Sequence, residues 1–354
     1  MKKILLNTLL VCLLSLTSYR GYSCTTFCIK DTNHLVMGKN FDFFTGVGQV
    51  VINKRNVRKL SFPMPSEKQL EWSSKYGSIT FNQMGREFPY GGINEKGLVV
   101  EIMWMEDTVY PEIDERYGLA DLQWIQYQLD NAATVAEVLA SDKLVRISKI
   151  PAVPIHFMVC DAKGNIATVE YIDGKMVYHT QSSLPVCVLT NDRYDLSHNY
   201  LTSLSDPEEY QFTVSSFDRF AEASLMVSNF KDQEVIDYSF DILSAVSNEY
   251  ITLWSIVYDI KNMTIHYKTR NNPDVRTLKV ADFDFSCNSP SSYIDIDHKE
   301  NATSAFHTYA YEKNLEVMNT ALNVLSKRPE FHGILPSEEE RKLLARYPDS
   351  TTCN

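Results

Sequence analysis

The feature that most restricts the fold is a succession of short alternating runs broken by turn residues, a pattern met most directly by antiparallel hairpins. Thr25 to Lys30 and Leu35 to Asn40 flank the turn Asp31-Thr32-Asn33, and Gly91 to Ile93 and Leu98 to Trp104 flank Asn94-Glu95-Lys96-Gly97. Further along, His156 to Asp161, Ile166 to Ile172 and Met176 to Thr180 predict a meander, and Leu253 to Asp259 with Thr264 to Thr269 predict another hairpin. The period turns helical between Gly118 and Ser141, where Leu122, Ile125 and Leu129 share a face and Thr134 to Glu137 reads as a capping box. Helices are also expected from Asp218 to Ser228, from Gln233 to Ser247, and in the C-terminal part, where Ser337 to Glu340 is another capping box. No repeat, low-complexity tract or linker interrupts residues 24–354, which are expected to form one α+β domain.

Ahead of this region, Lys2 and Lys3 precede an apolar run from Ile4 to Leu16 and a polar stretch ending in Gly21-Tyr22-Ser23. That order predicts a signal peptide over residues 1–23, removed on export to the periplasm or the extracellular space. The run is shorter than the ~20 residues a membrane span needs, and no later segment supplies a span. Cleavage after Ser23 leaves Cys24 at the N-terminus. Gly21 and Ser23 suit ordinary signal peptidase; the alternative is lipoprotein processing, which exposes the same cysteine but attaches a diacylglyceryl group to its sulfur.

Hydrophobic residues make up 44% of the 354 and charged residues 22%, the balance of a folded protein. The net charge of −11 becomes more negative once Lys2, Lys3 and Arg20 leave with the leader. Nucleic acid and anionic membranes are therefore poor partners, since both require a basic face. There are seven cysteines, of which Cys12 leaves with the leader, and their wide spacing predicts no disulfide framework. With neither CxxC nor HExxH present, neither metal nor cofactor is expected.

An N-terminal cysteine carries nucleophile and base in one residue. Its α-amine has an unperturbed pKa of about 7.7–8.0 and can take the thiol proton near neutrality, so no histidine is required. The plainer alternatives are a small apolar residue or a lipid anchor. The company Cys24 keeps favours catalysis. Cys24-Thr25-Thr26-Phe27, followed by Gly38-Lys39-Asn40-Phe41-Asp42, resembles the opening of the choloylglycine hydrolase family of N-terminal-nucleophile hydrolases. The resemblance continues in Gly91-Gly92-Ile93-Asn94-Glu95-Lys96-Gly97-Leu98, in Leu189-Thr190-Asn191 and in Ser216-Phe217-Asp218-Arg219-Phe220. That family includes conjugated bile salt hydrolases, penicillin V acylases and acid amidases that cleave N-acylethanolamines.

The resemblance implies an αββα fold of two antiparallel sheets between helical layers, and hydrolysis of linear C–N amide bonds. It assigns Cys24 as nucleophile, Asp42 to hold the α-amine, Asn94 and Asn191 to donate to the oxyanion, and Arg219 as a cation beside the site. Lys39 stands where the family has arginine, a point charge in place of a planar fork. The short interval between Asn191 and Arg219 implies that the loop which helps bile salt hydrolases form tetramers is reduced, leaving homo-oligomerisation open. Phe41, Phe43, Phe44 and Trp104, with Met103 and Met105, are candidates to line an apolar acyl pocket, core packing being the plain alternative. Glu106, Asp107, Glu112, Asp114 and Glu115 would disfavour anionic glycine or taurine head groups if they lay at its mouth. The expected substrate is a small N-acyl amide, with conjugated bile salts first and fatty acyl amides or penicillin V next.

Overall fold

The computed structural model describes residues 23–149, 152–205, 211–231, 233–300 and 303–353. The expected leader lies, apart from Ser23, outside them. Two antiparallel sheets dominate. The six-stranded sheet runs in the order Val188–Leu189, Thr25–Lys30, Leu35–Asp42, Thr252–Asp259, Thr264–Thr269, Arg276–Lys279. The nine-stranded sheet runs Lys175–Thr180, Ile166–Ile172, Ile155–Cys160, Val99–Trp104, Pro89–Asn94, Ser78–Asn82, Gln49–Asn53, Ser292–Asp295, His307–Thr308.

Helices Ser216–Ser228 and Val235–Ala245 cover the outer face of the first sheet, and Asp121–Asn131 covers the outer face of the second. Apolar side chains of both inner faces, among them Met37, Phe41, Phe81, Met103 and Met158, form one core with those under the first pair of helices. Leu98, Val100, Trp124, Ile125 and Phe157 form a second under Asp121–Asn131. This is the expected four-layer α+β sandwich. Both capping boxes are present, with Thr134 and Ser337 accepting from the backbone of Glu137 and Glu340. Among the described residues no helix is long and apolar enough to cross a membrane.

Two differences bear on the site. The Leu35–Asp42 strand runs past Asn40 and is buried along its whole length, because helices cover one side of its sheet and the other sheet covers the second. Lys39, Asn40 and Asp42 are thereby drawn into the interior, where a polar group without a partner is costly. The second difference is a disulfide between Cys287 and Cys353, a pair that the cysteine spacing did not indicate. Sixty-six residues separate the two, so no local spacing announces the pair. It closes the C-terminal segment, whose helices Tyr311–Leu325 and Glu338–Arg346 pack together and place Phe331 against Phe43, Phe44 and Trp104. A loop of that length contributes about 4 kcal/mol in the chain-entropy picture.

Candidate active site

Cys24 sits just before the Thr25–Lys30 strand and is 6% exposed. The register pairs Thr25 with Asn40 and Thr26 with Lys39. Continued by two residues, it sets Phe41 opposite Cys24 and Asp42 opposite Ser23, so the Cys24 nitrogen faces the end of the Asp42 strand. The thiol points at the Asp42 carbonyl, with Sγ 3.7 Å from that oxygen.

Arg219 grips this strand start from the helix above. Its Nη1 donates to the Ser23 carbonyl, to the Cys24 carbonyl at 2.6 Å and to Thr25 Oγ1 at 2.7 Å. Its Nη2 donates to Asn191 Oδ1 at 2.8 Å, which turns the Asn191 amide nitrogen toward the Trp104 carbonyl, also 2.8 Å away. Ser215 caps the helix through the backbone of Asp218, and Ser216 Oγ accepts from the Asn191 backbone at 2.9 Å, so the helix start fixes arginine and asparagine together. Lys39 enters from the opposite side. It is 1% exposed, lies between the sheets, and donates to the Ile102 carbonyl of the facing sheet.

Burial pushes the Cys24 thiol up; the Lys39 charge is the strongest influence pulling it back, Asp42 opposes that pull, and Arg219 adds to it. Asp42 is wholly buried, and neither carboxylate oxygen has a hydrogen-bond partner among the described residues. Burial pushes it up to about 6 against the pull of Arg219, of the nearby Thr252 hydroxyl and of Lys39. The Thr252 hydroxyl is close enough to favour the ionised form without an aligned hydrogen bond. A buried carboxylate with no aligned donor among the described residues, on the strand facing the Cys24 nitrogen, is a prepared seat for an ammonium group.

Residues 24–214 match the model of linear amide C–N hydrolases, choloylglycine hydrolase family. The chain belongs to the choloylglycine hydrolase family. It is 27% identical over 263 residues to the penicillin V acylase of Pectobacterium atrosepticum, covering 61% of this chain and 69% of that protein. The penicillin V acylase of Agrobacterium tumefaciens superposes with a TM-score of 0.66 at 26% identity, covering 81% of this chain and 94% of that one. A variant of the Clostridium perfringens conjugated bile acid hydrolase shares the fold, with a TM-score of 0.64 at 18% identity over 78% of this chain and 97% of that one. The chain is accordingly an amidohydrolase of linear C–N bonds.

Against this family background the candidate residues divide. Cys24, Asp42, Lys39, Asn191 and Arg219 converge on one strand start. Asn94 does not join them, which corrects its assignment as an oxyanion donor. Its Nδ2 donates to the Leu129 and Ala132 carbonyls at 2.9 and 2.7 Å, and its Oδ1 accepts from the backbone of Lys96 and Leu98. It closes the turn and satisfies the C-terminus of Asp121–Asn131 on the far side of the second sheet, with no N–H left for an oxyanion.

The aromatic candidates also divide. Phe41 is core, stacked on Trp254 at 4.3 Å. Phe43, Phe44 and Trp104 form a partly exposed cluster with Phe331, at centroid distances of 5.9, 5.8 and 6.4 Å from it. Tyr90 joins from the second sheet, 6.4 Å from Phe43. Met103 and Met105 are buried, Met103 taking the Thr26 hydroxyl. Of the acidic stretch, Glu106 meets Trp104 Nε1 at 2.9 Å, whereas Glu112 pairs with Lys149 and Asp114 with Arg116. Sequence reading missed Tyr90, Phe331 and Glu101. Only Glu101 left a local trace, as a lone charge inside the apolar strand Val99–Trp104.

The raised Asp42 carboxyl carries a stability consequence. Its ordinary value is 3.8 and its folded value about 6, so the fold favours the protonated form. The corresponding stability is fully present below pH 4 and is lost as pH rises through 6, about 3 kcal/mol at 1.36 kcal/mol per unit. In the uncut chain Asp42→Asn is therefore expected to be more stable than the parent at pH 8, by up to about that amount, and no different near pH 4. Denaturant midpoints at the two pH values measure this; equal midpoints at pH 8 would show that the carboxylate is already paired.

Proposed function

We propose that the chain is an exported acylase in which Cys24, freed by cleavage after Ser23, is the nucleophile, and that its acyl pocket takes a compact aromatic group. The observation that carries the mechanism is the partnerless Asp42 carboxylate beside Cys24. Once Ser23 is gone, the Cys24 α-ammonium occupies that seat. The amine in its neutral form takes the thiol proton, and the thiolate attacks the amide carbonyl, breaking its π bond to give an oxyanion. The second Asn191 amide hydrogen, which has no partner among the described residues, faces this charge together with the Arg219 guanidinium. The ammonium returns its proton to the leaving amine as the C–N bond breaks. Water, deprotonated by the same amine, then cleaves the thioester and releases the acid, and the thiol regains its proton.

The buried sulfur favours this reading over acylation of Cys24, since a diacylglycerol on Sγ would have to enter the core. The disulfide is consistent with an oxidising compartment.

The substrate reading rests on Phe43, Phe44, Tyr90, Trp104 and Phe331, a box of flat side chains suited to stacking an aryl group. The Pectobacterium atrosepticum and Agrobacterium tumefaciens relatives, both above 25% identity, are penicillin V acylases, whereas the bile acid hydrolase likeness speaks for the fold. Processed protein assayed on penicillin V, glycocholate, taurocholate and oleoylethanolamide is expected to show its highest kcat/KM on penicillin V. Phe331→Ala should raise KM for that substrate ~10-fold with kcat little changed, a loss of about 1.4 kcal/mol of stacking and burial. A preference for either bile salt, or an unchanged KM in Phe331→Ala, would overturn the aromatic pocket.

A further inference from the structure

Behind the thiol, between the sheets, lies a polar pair that the proposed reaction leaves unused. Glu101 is 2% exposed, in the middle of the Val99–Trp104 strand. Its Oε1 accepts a hydrogen bond of 2.5 Å from the Tyr258 hydroxyl of the facing sheet. In its own sheet it pairs with Gly91 on one side and Met158 on the other. A methyl group at Gly91 would overlap the Glu101 carboxyl, so the absence of a side chain there is what gives the carboxyl its room. The groups acting directly on Glu101 are Lys39 and the Tyr258 hydroxyl; on the flanking strand Ile155–Cys160 the buried His156 shares its face, two residues from Met158, and is held by the Glu170 carboxylate and the Thr190 carbonyl. Lys39 donates to the carbonyl of Ile102, the next residue, and is also the strongest counter-influence on the Cys24 thiol.

We propose that Glu101 is a positioning residue: its carboxylate, held by Tyr258 over Gly91, supplies the buried counter-charge that aims Lys39 at Cys24. The inference rests on Cys24 being the nucleophile. A lysine has one charged point and no fork, so it cannot bind two oxygens in a fixed plane as arginine does, and its direction must come from its neighbours. A buried ammonium also needs a compensating anion. Burial pushes Glu101 up to about 7, with Lys39 and the Tyr258 hydroxyl pulling back, so the pair gains its full charge only near neutrality.

The test turns on sign. Removing a negative charge near a thiol should, by direct electrostatics, move thiol ionisation to lower pH. Acting through Lys39 it does the opposite, because the ammonium, hydrogen-bonded to the Ile102 carbonyl, loses the counter-charge beside that carbonyl and turns toward Asp42. Processed Glu101→Gln is expected to shift the pH midpoint of Cys24 alkylation by iodoacetamide upward by about one unit and to lower kcat/KM ~10-fold. Tyr258→Phe, which keeps the carboxylate but loosens it, should shift the midpoint in the same direction by less. In a Lys39→Met background Glu101→Gln should add no further shift. An unchanged or downward midpoint in Glu101→Gln, or an equal added shift without Lys39, would overturn the proposal, and thermal melts of each variant exclude simple unfolding as the cause. If Cys24 were not the nucleophile, Cys24→Ser would keep its activity; that outcome is separate from any result at Glu101.

Discussion

Processed Cys24→Ser protein is expected to fold normally and to lose at least ~10³-fold in kcat/KM, about 4 kcal/mol of barrier at 1.36 kcal/mol per decade. The site is arranged for a thiolate. Lys39 and Arg219 counter part of the burial that pushes the thiol up, and an α-amine near pH 8 can take a thiol proton whereas a hydroxyl lies many units further away. The hydroxyl oxygen of the variant would occupy a nearly isosteric place below Arg219, so stability should change little. Steady-state rates and intact mass after rapid acid quench measure the effect. Wild type should accumulate an acyl adduct on Cys24 and the variant none; a variant retaining a tenth of the parental rate would remove Cys24 from the chemistry.

The second large effect concerns the amine. A single extra residue ahead of Cys24 leaves the thiol, Asp42, Asn191 and Arg219 in place but converts the base into a peptide nitrogen. General base catalysis contributes ~10²–10⁴-fold, and a loss of that size is expected in kcat/KM. The processed enzyme should also show kcat/KM rising with pH through the ionisation of the α-amine, displaced upward from about 8 by the Asp42 carboxylate beside it. The extended protein should lack that limb. Chains cut to begin at Cys24 and at Ser23, assayed from pH 5 to 9, make the comparison. Equal rates would show that another group is the base.

Much of the architecture is written locally. Ile166–Ile172 and Thr264–Thr269 begin and end where alternation and turn residues put them, and Thr134 and Ser337 mark helix starts through side chains that bond three residues on. The site is only half legible for a physical reason. Cys24, Lys39 and Asp42 lie on one hairpin, so their juxtaposition follows from strand pairing. Asn94 is misleading because its sequence block is equally that of a tight turn, and which carbonyls its amide meets depends on a helix thirty-five residues away. Glu101 interrupts an apolar strand, yet its inward direction depends on Gly91 across the sheet and Tyr258 across the core. Phe331 and the Cys287–Cys353 bridge belong to a C-terminal tail whose contacts are made across the tertiary fold, and no period or spacing encodes such contacts.

The grip of Arg219 on the Ser23 carbonyl has a meaning for maturation. Under the proposed cleavage that oxygen would leave with Ser23, and it occupies a guanidinium hydrogen beside the Cys24 carbonyl that an acyl oxygen could otherwise use. Hydrolysis of the Ser23–Cys24 bond, as proposed, would thus clear a donor as well as create an amine. If the proposed maturation holds, the precursor would be self-occluding: Ser23 would act as a tethered product analogue, and one peptide cleavage would both evict it and deliver the base.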